Sequence, residues 1–242
     1  MKTYLKYKIP DKPGSSVLLF IVLIIIFSTC QNKQKSVDTT HVVEITSMEL
    51  QPDIYLHESI TAYANQDFKK SADDIRKAVD AIQLIASVSK DENQKKALEN
   101  SIAELLELQS NVAFNKVDGV SELNYFFSRA GQALAGYHIN VYTTEYYNLQ
   151  GKKAGKELRN AIATIENSVS FLDREFNDDE KALLSELKIK ADLLEKGKDV
   201  PKEEIEKLIT ELNEKLTKWG GEIEVNYYNL KDKKKVIIHD KI

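Results

Sequence analysis

A 3.6-residue apolar period runs through most of this chain and constrains its fold more than any other feature. Between about residues 51 and 221, apolar side chains recur in steps of four and three, as on one face of successive helices. The most regular stripe contains Leu123, Phe127, Ala130, Leu134, Tyr137 and Val141. The pattern predicts an all-α fold, an antiparallel bundle of five to seven amphipathic helices joined by short turns.

Capping signals predict several helix ends. Two residue pairs have capping-box spacing: Asp91 with Gln94, and Asn177 with Glu180. In a capping box, the side chain of the first residue accepts a hydrogen bond from the backbone N–H of the second. Asp118 is a further candidate N-cap. Residues 65–67 (Asn-Gln-Asp) separate two apolar stripes, either as a tight turn between helices or as a polar patch on one helix.

The sequence changes period near its C-terminus. Gly220-Gly221 is expected to end the last helix, and Ile223, Val225 and Tyr227 then alternate with polar residues. A basic stretch (LKDKKK) and a second apolar run follow. This alternation predicts a short C-terminal β-hairpin or tail over residues 222–242, after a helical bundle domain over residues 51–221.

Two helical segments share a pattern at a constant spacing. Ala-x-x-Ile-Arg-x-Ala-Val-x-x-Ile over residues 72–82 matches Gly-x-x-Leu-Arg-x-Ala-Ile-x-x-Ile over residues 155–165. The match is explained either by a duplicated helical hairpin or by two amphipathic helices that converged on the same small and large positions.

An apolar run near the N-terminus predicts export. Val17 to Phe27 is uninterrupted, follows a segment with four lysines, and leads to Cys30, the single cysteine of the chain. The run is shorter than the roughly 20 residues that span a bilayer. A basic segment, a short apolar core and a small-residue exit are typical of a secretory signal.

With Cys30 at its exit, this segment resembles a bacterial lipoprotein signal. The cleavage box is of a relaxed type, with Phe27 and Thr29 on either side of the small residue Ser28. The resemblance implies a signal peptide over residues 1–29 and diacylation of the Cys30 sulfur. It also implies a lipidated polar tether over residues 30–50, and attachment to a membrane of the cell envelope, facing the periplasm. Membrane lipid would then be a partner through acylated Cys30.

The charge balance bears on the class of partner. The formal net charge is −4, and loss of residues 1–29 removes four lysines and one aspartate, which changes it to −7. An acidic domain is unfavourable for binding nucleic acid. We therefore expect an envelope protein, and no nucleic acid, as the partner of the bundle.

The run DIYLHESITAYANQDFKKSADDIRKAVDAIQLI, residues 53–85, resembles the repeat unit of the YfdX family of exported bacterial helical proteins. The shared features are an Asp-Ile opening, a short polar turn and an Ala-rich helix, and residues 193–212 have a similar character. The resemblance implies a helical, stress- or envelope-associated protein, and it supplies no catalytic residues.

Motifs for catalysis are missing from the sequence. It has no Gly-rich phosphate loop, no His-Glu-x-x-His and no Gly-x-Ser-x-Gly, so we expect no enzymatic activity and no cofactor. The first hypothesis is therefore a non-catalytic bundle for protein binding or scaffolding. The alternative is a small-ligand or metal-binding sensor, whose candidate ligand face consists of Tyr142, Tyr146, His138 and His57.

Overall fold

The computed structural model describes residues 50–172 and 174–239, with side chains up to residue 225 and at Tyr227. Cys30, the predicted signal peptide and nearly all of the predicted tether lie outside this part. Within it the fold is all-α, as predicted, with no strand and seven helices: α1 (Gln51–Ala64), α2 (Phe68–Val88), α3 (Glu92–Ala113), α4 (Val120–Tyr147), α5 (Gly151–Ser170), α6 (Asp178–Glu195) and α7 (Lys202–His239). None of these described helices is both long and apolar enough to cross a membrane.

The predicted C-terminal β-hairpin is wrong, because α7 continues through Gly220-Gly221 to His239. Trp219, Ile223 and Tyr227 are spaced by four and therefore share one helix face. Trp219 and Ile223 are buried, and the Tyr227 ring stacks on Tyr125 of α4 with centroids 3.7 Å apart. Val225, which completed the alternating pattern, is 59% exposed. The apolar residues in this segment therefore follow a helical period of four as well as the alternating pattern. Residues 240–242 lie outside the described part.

Two of the predicted N-caps are confirmed. The Asp91 carboxylate accepts from the Gln94 backbone at 2.9 Å, and Asn177 and Glu180 form both bonds of a capping box, each 2.9 Å long. The Asp118 prediction is wrong. Gly119 is the N-cap residue of α4, with a φ of 114° that favours glycine, and the Asp118 backbone N–H donates to the Glu122 carboxylate.

Two corners between helices have the same geometry 83 positions apart. In each, three consecutive backbone N–H groups donate to carbonyls three to five residues back, at 2.9–3.2 Å for residues 65–67 and 3.0–3.1 Å for residues 148–150. The middle residues, Gln66 and Leu149, are left-handed, with φ of 62° and 59°. Residues 65–67 thus form a turn and not a polar patch on one helix. We name residues 63–70 the first corner and residues 146–153 the second corner.

The tertiary contacts of the two corners also correspond. The Tyr63 hydroxyl donates to the Val117 carbonyl at 3.4 Å, and the Tyr146 hydroxyl donates to the Val200 carbonyl at 2.9 Å. Both donors and both acceptors are again separated by 83 positions. The same turn geometry also ends α3, at residues 114–116, and α6, at residues 196–198, so the turns alone do not distinguish the two explanations. The helix starts and the long-range bonds that recur at this spacing favour duplication over convergence. We name residues 51–113 the first repeat and residues 134–195 the second repeat.

A third copy of the corner sequence lies inside α7. Residues 146–153 read YYNLQGKK and residues 227–234 read YYNLKDKK, so six of eight positions are identical. The second corner turns, whereas α7 runs straight through the third copy. The octapeptide alone therefore does not determine whether the chain turns.

The apolar interior consists of two clusters that share α4. Leu123, Phe127 and Leu134 of α4 belong to the first core, with buried residues of α1, α2 and α3. Ile139 and Tyr142 of α4 belong to the second core, with residues of α5, α6 and α7. The long helix α4 thus connects both cores.

Candidate functional site

A group of polar side chains is buried where α1, α4 and α5 meet. We name it the polar network; it comprises Asp53, His138, Glu157, Asn160, Thr164 and Asn167. The first five are at most 6% exposed and Asn167 is half-buried. The four α5 residues are spaced by three and four, so they line one face of that helix. Such burial is unfavourable unless the polar atoms are paired.

Asp53 enters the network from the first turn of α1. Its Oδ2 accepts from the Thr164 hydroxyl at 3.1 Å and from the Asn167 amide at 3.2 Å, while its buried Oδ1 has no hydrogen-bond partner. Burial raises the pKa of Asp53 from 3.8 to about 6, although the Asn167 and Thr164 bonds and the charge of His138 act in the opposite direction. Burial therefore makes this carboxyl group harder to ionise than an exposed aspartate.

His138 enters the network from α4 and pairs with Glu157 of α5. Its Nδ1 lies 2.9 Å from Glu157 Oε2, and the imidazole is completely buried. Nε2 of His138 and Nδ2 of Asn160 are buried without a partner, as is Oδ1 of Asp53. An unpaired buried polar atom is costly, and three such atoms lie in this one network.

The arrangement places an imidazole in contact with one carboxylate and within electrostatic range of a second. Among the residues that the structure describes, no hydroxyl is hydrogen-bonded to His138 Nε2. Within the described residues, no group of three or more His, Cys, Asp or Glu side chains is arranged to hold a metal.

Of the predicted ligand residues, the two histidines lie at different depths. His138 belongs to the network. His57 lies on α1 at its edge, with its ring 4.5 Å from that of Phe171 and a side exposed to solvent. Burial lowers the pKa of His57, and its hydrogen bond with Asn167 acts against this shift. His57 is therefore connected to Asp53 through Asn167, whereas His138 acts on Asp53 through its charge.

The two predicted tyrosines belong to the second core. Tyr142 is 3% exposed and its hydroxyl is buried without a partner, so burial raises its pKa. Its ring lies 5.8 Å from that of Tyr146, whose hydroxyl is bonded to the Val200 carbonyl. The pair joins α4 to the segment before α7 and does not line an open groove.

A small apolar cavity lies between α4, α5 and α7. It measures about 10 Å³, and its lining includes Gly131, Ser168, Leu216 and Trp219. This volume is close to the space that one water molecule needs. Neither Tyr142 nor Tyr146 borders it.

Asp53 and Glu157 were not recognised from the sequence. Asp53 was interpreted only as the opening of a helix, a role in which aspartate is common. Glu157 lies in α5, and the alignment of the two repeats places it opposite Asp74. An acidic residue at the same position of both repeats is the sequence signal from which a buried carboxylate could have been predicted.

Comparison with known proteins identifies no relative of this chain. No protein-family model matches it, and no curated protein and no solved structure matches it either. The resemblances to lipoprotein signals and to the YfdX family therefore rest on the quoted residues and stay predictions.

Proposed function

We propose that this protein is a lipid-anchored protein of the bacterial cell envelope, whose non-catalytic helical-repeat domain binds a protein partner as a scaffold. The anchor is supported by the apolar run that ends at Cys30. The binding role is supported chiefly by one observation, the repeated helix–corner–helix unit. Stacked helical repeats form extended surfaces that proteins commonly use to bind other proteins.

The second corner is the candidate contact on this surface. Leu149 is 93% exposed and left-handed, and neither property favours folding for a leucine. Gln66, at the same place in the first corner, is polar. Beside Leu149, the exposed Tyr147 hydroxyl donates to Glu206, and its ring lies 4.8 Å from the Lys202 ammonium. An exposed leucine beside an oriented tyrosine suits an apolar anchor on a partner.

The anchor is tested by the intact mass of the protein after membrane fractionation of cells that produce it. We expect a membrane-bound species that begins at Cys30 and carries added acyl mass. Cys30→Ser should remove the acyl mass and shift the protein from the membrane fraction. A wild-type species that is soluble and unacylated would contradict the anchor.

The binding role is tested by crosslinking in the detergent-solubilised envelope. In Leu149→Asn, the new asparagine tolerates the left-handed conformation and removes the apolar side chain. The fold should therefore be retained, while crosslinks to the partner are lost. Gln66→Asn is the matched control and should leave the crosslinks intact. Equal crosslinking by both variants would show that the second corner is not the contact site for the partner. A wild-type protein without specific crosslinks would contradict the binding role.

The small-ligand sensor has less support from the geometry. Tyr142 is buried in the second core, and the Tyr146 hydroxyl is already bonded to the backbone. The polar network retains unpaired atoms, but its side chains lie between helices and bond α1 and α4 to α5.

A further inference from the structure

The C-terminal part of α2 carries an exposed apolar surface. Ala81, Leu84 and Val88 are spaced by three and four and therefore share one helix face, which we name the α2 stripe. Leu84 is 60% exposed and Val88 is 65% exposed, while Ala81 beside them is half-buried. Exposed apolar side chains that lie together, unlike isolated ones, mark a surface that is suited to contact with another molecule.

The repeat alignment identifies the equivalent surface of α5, which is covered. Thr164, Asn167 and Phe171 lie 83 positions after the α2 stripe, and we name them the α5 stripe. Helix α1 lies against it. Asp53 accepts hydrogen bonds from Thr164 and Asn167 at 3.1 and 3.2 Å. The ring of His57 lies 4.5 Å from that of Phe171, which is buried. The first helix of one repeat thus covers the second helix of the next repeat.

Among the described residues, no repeat precedes the first one, so the α2 stripe has no counterpart of α1 over it. Helix α7 contains a further helix of the covering type. The third copy of the corner sequence aligns Tyr227 with Tyr63 of the first corner, and thereby aligns residues 215–228 with α1. The α7 residues at the positions of Asp53, His57 and Thr61 form a second surface, which we name the α7 stripe: Thr217, Gly221 and Val225.

Burial supports this register for α7. The same alignment places Trp219 at the position of His138 in α4, and Ile223 at the position of Tyr142. All four of these residues are buried. The α7 segment therefore turns the same face towards the bundle as the aligned part of α4 does.

The α7 stripe faces away from the bundle and has space for another helix. Its three residues are exposed. A Cβ at Gly221 would have no atom of the described residues within 4 Å. Glycine is disfavoured inside a helix, and here it leaves a notch between Thr217 and Val225 in which a side chain of another helix can approach the backbone.

We propose that the α2 stripe of one copy of this chain binds the α7 stripe of a second copy. The contact repeats between two copies the docking of α1 on α5 within one copy. Asp53 contacts Thr164 and Asn167 in that docking, so its counterpart Thr217 lies opposite Leu84. His57 contacts Phe171, so its counterpart Gly221 lies opposite Val88.

The two surfaces differ, so the contact is head-to-tail. A pair of copies keeps one unused α2 stripe at one end and one unused α7 stripe at the other. A contact of this kind continues into a ring or an open row of copies. Self-association goes beyond the proposed binding function, uses other residues than the second corner, and does not depend on the partner.

The pairing is tested by disulfide crosslinking of the full chain in detergent. One chain carries Leu84→Cys and the other carries Thr217→Cys, with Cys30→Ser in both, so each has a single thiol. We expect the mixed dimer to form and each variant alone to stay uncrosslinked. The matched control replaces Leu84→Cys by Ile189→Cys, at an apolar residue of α6 with a similar exposure of 56%, and should give no mixed dimer.

Three results of this experiment would overturn the proposal. Absence of the mixed dimer would show that the two stripes do not meet. Crosslinking of Leu84→Cys with itself would show that two α2 stripes meet instead. Mixed crosslinking by Ile189→Cys as strong as by Leu84→Cys would show that the contact is not specific to the α2 stripe.

The strength of the contact is tested by sedimentation of the full chain with Cys30→Ser over a range of concentrations in detergent. The average mass should rise with concentration. Leu84→Glu should raise the dissociation constant about tenfold or more, because the contact would desolvate a carboxylate. Gly221→Leu fills the notch and should also weaken association, although it favours the helix itself. Ile189→Glu is the matched control and should leave the dissociation constant unchanged.

A chain that stays monomeric at every concentration would refute the proposal. Equal effects of Leu84→Glu and Ile189→Glu on association would refute it too. Circular dichroism in urea distinguishes the remaining occupant. A monomeric chain that Leu84→Glu destabilises would show that the chain covers the α2 stripe itself, which likewise excludes a second copy.

Discussion

The two repeats place an acidic side chain at the same helix position and use it differently. In the first repeat, Asp74 is fully buried and bound to Lys70 and Lys77, two half-exposed lysines of its own helix. In the second repeat, the aligned residue is Glu157, which reaches across to His138 on another helix. The first acid is paired with cations of its own helix, whereas the second depends on the docking of α4. One position of the fold therefore supports either a local ion pair or an interhelical network.

The strongest test of this comparison removes equivalent core residues. Ile75 and Leu158 are aligned in the two repeats and both are fully buried. Ile75→Ala and Leu158→Ala should each cost about 2–5 kcal/mol of unfolding free energy. Because α4 belongs to both cores, each variant should still unfold in a single transition in urea, followed by circular dichroism. Two separate transitions would show that the repeats are independent folding units.

A second pair of variants compares helix spacing in the two repeats. A Cβ at Gly155 would lie 2.7 Å from the Ala191 carbonyl oxygen and from the Glu195 backbone nitrogen, so α5 and α6 would have to separate. Gly155→Ala should therefore cost about 1–3 kcal/mol despite the better helix propensity of alanine. Ala72→Gly, at the aligned position of α2, should cost about 1 kcal/mol through propensity. Thermal unfolding measures both, and a stabilised Gly155→Ala would contradict the close approach.

The two acids should differ in the sign of their pH dependence. Burial alone would raise the pKa of Asp74, but the hydrogen bonds from Lys70 and Lys77 outweigh burial and lower it. The Asp74 contribution is thus present above about pH 4 and lost as the pH falls further, opposite to that of Asp53. Asp74→Asn should cost about 1 kcal/mol at neutral pH, a value limited by the exposure of both lysines, and nothing at strongly acidic pH. Urea unfolding at several pH values measures this, and a pH-independent cost would refute the ion pair.

The smallest expected difference lies at the helix starts. Asp91 caps α3 with one hydrogen bond, whereas Asn177 caps α6 within a reciprocal pair. Either substitution to alanine should cost about 0.5–2 kcal/mol, because each removes the side-chain acceptor of one backbone N–H, whereas the bond from the backbone N–H of residue 177 to the Glu180 carboxylate does not need the Asn177 side chain. Urea midpoints of the two variants measure these losses, and a variant without any loss would contradict its cap.

Much of the fold was predictable because its determinants are local. The stripe from Leu123 to Leu134 is buried as its period indicates, and the caps at Asp91 and Asn177 need only contacts within one helical turn. The candidate site was predictable only in part. His138 was identified, whereas Asp53 was not, because its partners Thr164 and Asn167 lie more than 100 residues away in the sequence.

The third copy of the corner sequence separates local from tertiary information most clearly. The sequence by itself determined the helices, the spacing of the repeats and the length of apolar surface that each helix must bury. It did not determine whether the octapeptide beginning at Tyr227 turns or stays helical, since a nearly identical octapeptide forms the second corner.

Only the tertiary structure decided whether this octapeptide turns. Tyr146 is bonded to the Val200 carbonyl where the chain turns back, whereas Tyr227 is stacked on Tyr125 of α4 where the helix continues. In both cases the contact that accompanies the backbone path is made with a residue distant in the sequence.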